Sequence, residues 1–538
     1  MAGHFVQTLG KLLAAAAGAW PLIAQTTPAA ADTYLVTLHP EARQTPATGR
    51  VILFFITETG RRWSQRQPAE GPFWENPQPI ASVAVEDLEP GASVVIDGAA
   101  IAFPGSLDQL TGPVRVQAVL DADYTQRDHL AGPGNVLSEV VEARLDAQAE
   151  DHVELVLNRP IGPPRPMEER ANLKWVRQRS ELLSEFYGRD VYHRAGVALP
   201  TAYDDPQAAP RQWPTVYVIP GFGGRQEGAA LYARMLSTPG AEDIAPIAVH
   251  VVLDPESPLA HHGFVDSANN GPRGTALVTE LIPLLERRFR LAPNPDARIV
   301  TGHSSGGFSA LWLQLNHPET FGACWATAPD PIDFSAMITC DLYTNANLYF
   351  DADGRERPGC RRLVSARGDM QVTMTMREEC LMEFAMDPIG RSGQQWDTWE
   401  SMFSPRDART ALPRPMFDSI TGAIDRDVVC TWSRFDLAGL VEADWRRCGP
   451  IVTQRVRLLC GDLDSYYLDR AVKKFKAKVE RLAEESGGWN GSGYIHIEPF
   501  ATHNTITSKV FQRVNEEMRE YLRGRGLAQP PLPGNADR

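Results

Sequence analysis

A strand, a very tight turn and a helix are predicted around Ser304, and this arrangement constrains the fold more than any other feature of the chain. The turn is the run Gly302-His303-Ser304-Ser305-Gly306, which has G-x-S-x-G spacing. Residues 298–301 are typical of a buried strand end, and residues 307–315 show the apolar spacing of a helix. The pattern predicts that Ser304 stands clear of a sheet as a nucleophile. The alternative is an ordinary glycine-rich turn in which Ser304 caps the helix.

Length and charge limit the classes of protein to which the chain can belong. A chain of 538 residues is too long for one small core and suggests two or three domains. Its net charge of −14 disfavours nucleic acid as a partner, because binding phosphates requires a basic surface. Phosphate-loop, CxxC and H-E-x-x-H motifs are absent from the sequence, so we expect neither a cofactor nor a metal.

The first residues have the pattern of an export signal. Lys11 precedes an apolar run over residues 12–24, and Ala29-Ala30-Ala31 before Asp32 forms an A-x-A cleavage site. We therefore expect residues 1–31 to be a signal peptide and the mature protein to be periplasmic or extracellular. The alternative is an amphipathic or disordered tail. No later apolar run approaches the roughly 20 residues that span a bilayer, so we expect no integral membrane segment in the mature chain.

Seven cysteines lie in the second half of the chain, and an exported protein can join such residues in disulfides. Cys340 with Cys360 and Cys430 with Cys448 are plausible pairs, although sequence does not determine connectivity. The alternative is that the cysteines are small buried apolar residues.

The chain divides into a β-rich part and a part with alternating strands and helices. Residues 33–158 show period-two strands separated by short turns, which predicts a β-sandwich. A proline-rich linker follows over residues 159–166. Apolar strands alternate with helices over residues 167–525, which predicts a mostly parallel sheet of the α/β-hydrolase fold. Residues 526–538 are expected to form a flexible tail.

Two further residues have the chain positions expected of a general base and its carboxylate partner. A serine hydroxyl needs such a pair for activation, and in this fold the chain order is serine, acid, histidine. His503 follows the last predicted strand, where the base is expected. Asp464 follows the strand predicted over residues 456–460 and is the favoured acid, with Asp462 as the alternative.

A glycine-rich loop, Pro220-Gly221-Phe222-Gly223-Gly224, follows the strand predicted over residues 215–219. Glycines at this position allow backbone N–H groups to approach a developing oxyanion. We expect the donors to be the N–H of Phe222 or Gly223 and the N–H of Ser305. The alternative is a plain β–α turn.

Residues from about 180 to 525 resemble the esterase D and enterochelin esterase-like family of α/β-hydrolases. The resemblance depends on the glycine loop, the Ser304 turn, Gly461-Asp462-Leu463-Asp464, His503 and the stretch at residues 264–272. It implies hydrolysis or transfer of a carboxylic acyl group through a serine acyl-enzyme, without a metal. The segment at about 331–450 is an insertion relative to compact members, and we expect it to form a lid or cap; the alternative is a structural excursion packed away from the site.

The sequence thus predicts a secreted serine esterase acting on a small-molecule or polymer-linked ester. An acyltransferase that uses the same residues with a sugar or lipid hydroxyl is the nearest alternative. A non-catalytic binding protein is the alternative from another class.

Overall fold

The structure is a computed structural model that describes residues 33–146, 152–204 and 211–527. The predicted signal peptide lies outside the described residues, as does the predicted tail from residue 528 onward. The chain forms a mixed α/β fold with two compact units. The first unit combines the residues up to Arg165 with two later segments, Glu378–Asp397 and Arg406–Pro413. The second contains the remaining residues, so parts of the predicted insertion belong to each unit.

The described residues of the first unit contain nine strands in one hydrogen-bonded set. Pairing is antiparallel except between Thr33–Leu38 and His152–Pro160, which are the first and last of these strands along the chain and pair parallel. Alternating apolar residues on them build a common core that includes Val36, Leu53 and Leu155. The division into two facing sheets stays a prediction. The strands are, in spatial order, Ser93–Ile96, Thr33–Leu38, His152–Pro160, Val136–Ser138, Gly112–Asp121, Ala47–Ile56, Ile80–Leu88 and Ile101–Phe103, with Val141–Leu145 paired to Gly112–Asp121.

The second unit is built on an eight-stranded sheet, as far as the described residues show. Its first three strands in spatial order pair antiparallel, and the pairs that follow are parallel. The carboxyl ends of the parallel strands therefore meet at one edge of the sheet. The order is Leu173–Arg179, Tyr192–Ala198, Val249–Leu253, Thr215–Ile219, Arg298–His303, Ala323–Thr327, Val456–Gly461 and Tyr494–Glu498.

Helices connect these strands, as the alternating pattern predicts. The helices Arg273–Ala276 and Ile282–Arg288 are joined by a π-helical turn at Leu277–Leu281. In the described residues the α-helices are Arg61–Ser64, Glu181–Tyr187, Ala229–Leu236, Ala241–Ile244, Arg273–Ala276, Ile282–Arg288, Ser305–Asn316, Met376–Met386, Gln395–Phe403, Arg426–Trp432, Leu437–Ala443, Trp445–Arg455, Leu468–Glu485 and Thr505–Gly524. Within the described residues, no helix is long and apolar enough to cross a membrane.

The predicted disulfides are wrong. All seven cysteines lie in the described part of the chain, and none of them is joined in a disulfide. Six are buried, and Cys324 and Cys460 occupy central strands of the second unit. The Cys340 thiol instead contacts Asn345 Oδ1 at 3.6 Å. The six buried cysteines serve as small apolar side chains, which is the alternative that the sequence left open.

Candidate active site

Ser304 lies in the turn between the strand Arg298–His303 and the helix Ser305–Asn316, where the sequence predicts it. Its φ of +59° and ψ of −128° are unusual for a residue other than glycine. Its backbone N–H donates to Thr327 O at 3.0 Å, and its carbonyl accepts from Gly307 N at 2.8 Å. The turn is thus a strained conformation held by neighbouring backbone, as is common at functional sites.

Glycine is required on both sides of Ser304 because backbone atoms approach too closely for a side chain. A Cβ at Gly302 would stand 2.1 Å from Gly306 O, and a Cβ at Gly306 would stand 2.0 Å from Ile219 O. Neither oxygen can move away as the end of a flexible side chain could. The small residues in the G-x-S-x-G pattern are therefore a packing requirement of this turn.

His503 and Asp464 are directly hydrogen-bonded. His503 Nδ1 and Asp464 Oδ2 are 2.8 Å apart, and Asp464 is fully buried. Asp464 Oδ1 accepts from Tyr466 N at 2.9 Å and from Leu468 N at 3.2 Å, which fixes the carboxylate. Burial alone would raise the pKa of Asp464, but the charge and hydrogen bond of His503 and the two backbone donors lower it below its ordinary value. The carboxylate is therefore ionised beside the imidazole.

Asp462, the alternative acid, has a different environment. Its backbone N–H donates to Glu498 O at 3.1 Å. Its Oδ1 is buried without a hydrogen-bond partner, whereas His503 pairs with Asp464. The geometry favours Asp464 over Asp462 as the partner of His503.

His303, the residue before Ser304, packs against the candidate base. The ring centroids of His303 and His503 are 4.5 Å apart, and Tyr466 contacts His503 edge-on at 4.9 Å. His303 Nδ1 lies 3.1 Å from Thr327 Oγ1. Burial, together with the nearby His503, lowers the pKa of His303 to about 3. His303 is therefore neutral near pH 7 and orients the His503 ring by packing.

The glycine loop lies beside the Ser304 turn. A Cβ placed on Gly221 would be 3.2 Å from Ser304 Cβ, and Gly224 N donates to Gly221 O at 2.9 Å to close the loop. Gly223 has a φ of +75°, a left-handed conformation that favours glycine. Ser305 opens the helix, and the first N–H groups of a helix have no partner within it. The backbone donors predicted at Phe222, Gly223 and Ser305 thus belong to segments that flank Ser304.

Sequence reasoning missed Asp330, a buried carboxylate behind the turn. Asp330 Oδ2 accepts from Ser305 Oγ at 2.7 Å and from Trp399 Nε1 at 2.9 Å. The Asp330 N–H donates to Ser304 O at 3.2 Å. Asp330 therefore fixes both Ser304 and Ser305. Its one sequence signal is its position three residues after the strand Ala323–Thr327, at the same sheet edge as the other site residues.

Part of the predicted insertion packs on the helix that follows Ser304. Phe403 contacts Phe308 with ring centroids 5.5 Å apart and also contacts Phe334, Trp432 and Phe435. These side chains are buried. This portion of the insertion is a structural layer of the second unit, and a lid over Ser304 stays a prediction. The described residues contain no group of three or more metal-ligating side chains.

Comparison with known proteins gives one family match, which covers less than half of the chain and includes Ser304 but neither Asp464 nor His503. Residues 191–413 match the family model described as "Putative esterase". Comparison with curated proteins gives no match. The chain is similar in structure to a ferulic acid esterase (14% identity, TM-score 0.37, covering 65% of this chain and 99% of the other). It is also similar to an S-formylglutathione hydrolase from Agrobacterium tumefaciens (16% identity, TM-score 0.36, covering 66% of this chain and 98% of the other). A third similar structure is MPT51 of Mycobacterium tuberculosis (13% identity, TM-score 0.36, covering 66% of this chain and 100% of the other). Since these TM-scores are low, the assignment of an esterase activity depends on the family match.

Proposed function

Because the chain carries an esterase-family domain and is a carboxylic ester hydrolase, we propose that Ser304, His503 and Asp464 are its catalytic triad. The observation that carries the proposal is the buried His503–Asp464 hydrogen bond of 2.8 Å, beside a serine in a strained strand-to-helix turn. These three residues come from the carboxyl ends of three strands of one sheet. Four elements together support acyl transfer: the turn at Ser304, the acid Asp464, the base His503 and the glycine loop.

The hydrogen bond to Asp464 determines which nitrogen of His503 does chemistry. With the proton on Nδ1 donated to Asp464, Nε2 is the free base. Ser304 Oγ attacks the ester carbonyl while its proton moves to His503 Nε2. The tetrahedral intermediate collapses as that proton passes to the leaving alcohol, which leaves the acyl group on Ser304 Oγ. Water then attacks the acyl-enzyme, gives its proton to His503, and the carboxylic acid is released as the Ser304 hydroxyl re-forms.

Backbone donors from two segments would stabilise the negative oxygen of the intermediate. We assign this role to the N–H groups of Ser305 and of Phe222 or Gly223. Donors of this kind act on charge that develops only in the transition state, and the loss of one donor lowers kcat about 10²–10³-fold. The close approach of Gly221 to Ser304 supports the assignment, since it brings the glycine loop against the nucleophile.

Asp330 should position the Ser305 donor, and replacing it by asparagine is expected to lower kcat about 10- to 100-fold with little change in KM. The carboxylate oxygen Oδ2 accepts from both Ser305 Oγ and Trp399 Nε1, and a neutral amide in its place weakens these two hydrogen bonds, so the substitution loosens Ser305. Steady-state kinetics on short-chain esters measures the effect. Ser305→Ala, which removes only one of these hydrogen bonds, should show a smaller loss. A folded Asp330→Asn enzyme with unchanged kcat would contradict this role.

Turnover of chromogenic acyl esters by wild type and Ser304→Ala tests the proposed function. We expect the substitution to abolish turnover to the background rate, since the residual catalysis of triad variants is several orders of magnitude lower. Ser486→Ala, which alters an exposed serine, is the matched control and should retain full activity. Equal turnover by wild type and Ser304→Ala would refute the assignment. An added acceptor alcohol distinguishes hydrolysis from acyl transfer, because transfer yields a new ester.

Export and the remaining details of the fold belong to the same proposal. The apolar run at residues 12–24 and the A-x-A site ending at Ala31 support secretion. N-terminal sequencing of protein from the periplasm or medium should then begin at Asp32. We also assign the α/β-hydrolase fold to residues 167–525 and a β-sandwich to residues 33–158. The order of site residues along the chain supports the first assignment.

A further inference from the structure

A half-open cleft of about 600 Å³ lies in the second unit, and the triad chemistry alone gives it no role. Its floor is the surface of three neighbouring strands, Val249–Leu253, Thr215–Ile219 and Arg298–His303. Residues two apart on a strand share one face, and such pairs form the floor. They are Val216 with Val218, His250 with Val252, and Thr301 with His303.

The walls of the cleft come from the helices Ala229–Leu236 and Thr505–Gly524, and they are mainly apolar. Leu231 and Met235 contribute from the first helix, and Phe511 and Val514 from the second. Leu231 is 59% exposed and Phe511 is 47% exposed, so both helices present a large apolar side chain at the solvent side of the cleft. An apolar cleft of this size is in the range that encloses a small-molecule ligand.

The polar groups of the floor carry no charge near neutral pH. Burial lowers the pKa of His250 to about 4 and the pKa of His303 to about 3. His250 also stacks on Tyr232 with ring centroids 5.2 Å apart. The charged residues of the lining are Arg225 and Glu227, and Arg225 pairs with Asp254 at 3.4 Å. The cleft therefore suits an uncharged apolar group.

One end of the cleft is formed by residues adjacent to the catalytic groups. Gly221 lines the cleft, and a Cβ on it would be 3.2 Å from Ser304 Cβ. His303 lines the cleft as well, and its ring contacts that of His503. The second helical wall begins at Thr505, two residues after His503. A chain lying in the cleft would thus have its end beside both the nucleophile and the base.

We infer that this cleft binds the aliphatic acyl chain of the substrate, so that the enzyme prefers esters of medium-chain acids, of about eight carbons, to acetate esters. The inference depends on the proposed function, since it assigns the substrate class of that same site. Burying each additional methylene group strengthens binding roughly fourfold, so chain length should have a steep effect on kcat/KM.

Gly228→Phe is the variant that tests the inference. Gly228 lines the cleft, and a Cβ there would meet only Val252 Cγ1, at an ordinary contact distance of 3.7 Å. Its φ is −53°, so a side chain causes no backbone strain and would extend toward the floor. Gly524→Phe is the matched control, because Gly524 has open space around it and does not line the cleft.

We expect wild type to hydrolyse p-nitrophenyl octanoate with a kcat/KM about tenfold or more above that for the acetate ester. Gly228→Phe should lower the octanoate-to-acetate ratio about tenfold, and Gly524→Phe should leave it unchanged. An unaltered ratio in Gly228→Phe, or the absence of any chain-length preference in wild type, would overturn the inference.

Binding of octanoate to the Ser304→Ala protein separates the cleft from the chemistry. Isothermal titration calorimetry should detect binding that is lost when Gly228→Phe is added. If wild type hydrolyses no ester while octanoate binding still depends on Gly228, the proposed function fails and the cleft assignment stands. If esters are hydrolysed but Gly228→Phe leaves octanoate binding unchanged, the cleft assignment fails and the proposed function stands.

Discussion

Replacing Asp464 by asparagine is expected to lower kcat for ester hydrolysis by about 10³–10⁴-fold in a folded protein. The two carboxylate oxygens have separate partners, because Oδ1 accepts from Tyr466 N and Leu468 N while Oδ2 faces His503 Nδ1. An asparagine that keeps its oxygen on the backbone donors places its NH₂ against Nδ1. The imidazole must then carry its proton on Nε2, where it cannot accept the proton of Ser304.

Asp462→Asn is the matched control for this prediction, since the residue lies in the same loop but its Oδ1 has no hydrogen-bond partner, whereas His503 pairs with Asp464. Its kcat should stay within about threefold of wild type, in the range of a residue outside the triad. Circular dichroism and thermal unfolding verify that both variants fold. The assignment of the acid would be reversed if Asp462→Asn lost activity and Asp464→Asn did not.

The stability of the protein should decrease as the pH rises from about 5 to about 8 because of a buried glutamate in the first unit. Burial raises the pKa of Glu379 from 4.5 to about 8. Between these two values the folded protein holds a proton that the unfolded chain releases, so increasing pH favours unfolding. The effect is absent below the unfolded pKa and complete above the folded one. At about 1.4 kcal/mol per pKa unit, the total is several kcal/mol.

Glu379→Gln should remove the part of this pH dependence that comes from Glu379, whereas Glu383, whose pKa burial also raises, should retain its own part. Urea unfolding at about pH 5 and about pH 8 is expected to show a variant similar to wild type at the lower pH and more stable than wild type at the higher pH. Glu86→Gln, at an exposed position of the same unit, should leave the wild-type pH dependence intact. If the free energy of unfolding changed equally with pH in wild type and in Glu379→Gln, Glu379 would not be the group that binds the proton.

Local patterns were enough to identify Ser304, Asp464 and His503 as candidates for the site. The glycines around Ser304 are required by backbone contacts that any strand–turn–helix of this kind makes, so the spacing alone identified the turn. Asp464 and His503 were predicted because each lies in the loop after a predicted strand, and parallel strands bring their carboxyl ends to one edge. The strands Thr215–Ile219 and Val456–Gly461 were recognised from their continuous apolar runs.

Contacts between distant segments could not be predicted in this way. Asp330 is one aspartate among many, and its importance depends on Ser305 and Trp399, the latter nearly seventy residues further along the chain. The edge strand Leu173–Arg179 is missing from the prediction because its sequence, LKWVRQR, is largely polar. The predicted disulfides were wrong for the same reason, since the spacing of cysteines along the chain contains no information about their distance in the folded protein.

The most direct test of the triad is to locate the adduct of a fluorophosphonate, a probe that reacts with activated serines. Intact-protein mass spectrometry should show one phosphonate on wild type, and peptide mapping should place it on Ser304. His503→Ala should react far more slowly, because the serine then lacks its base. An adduct on another serine, or no adduct on folded wild type, would contradict the assignment of Ser304 as the nucleophile.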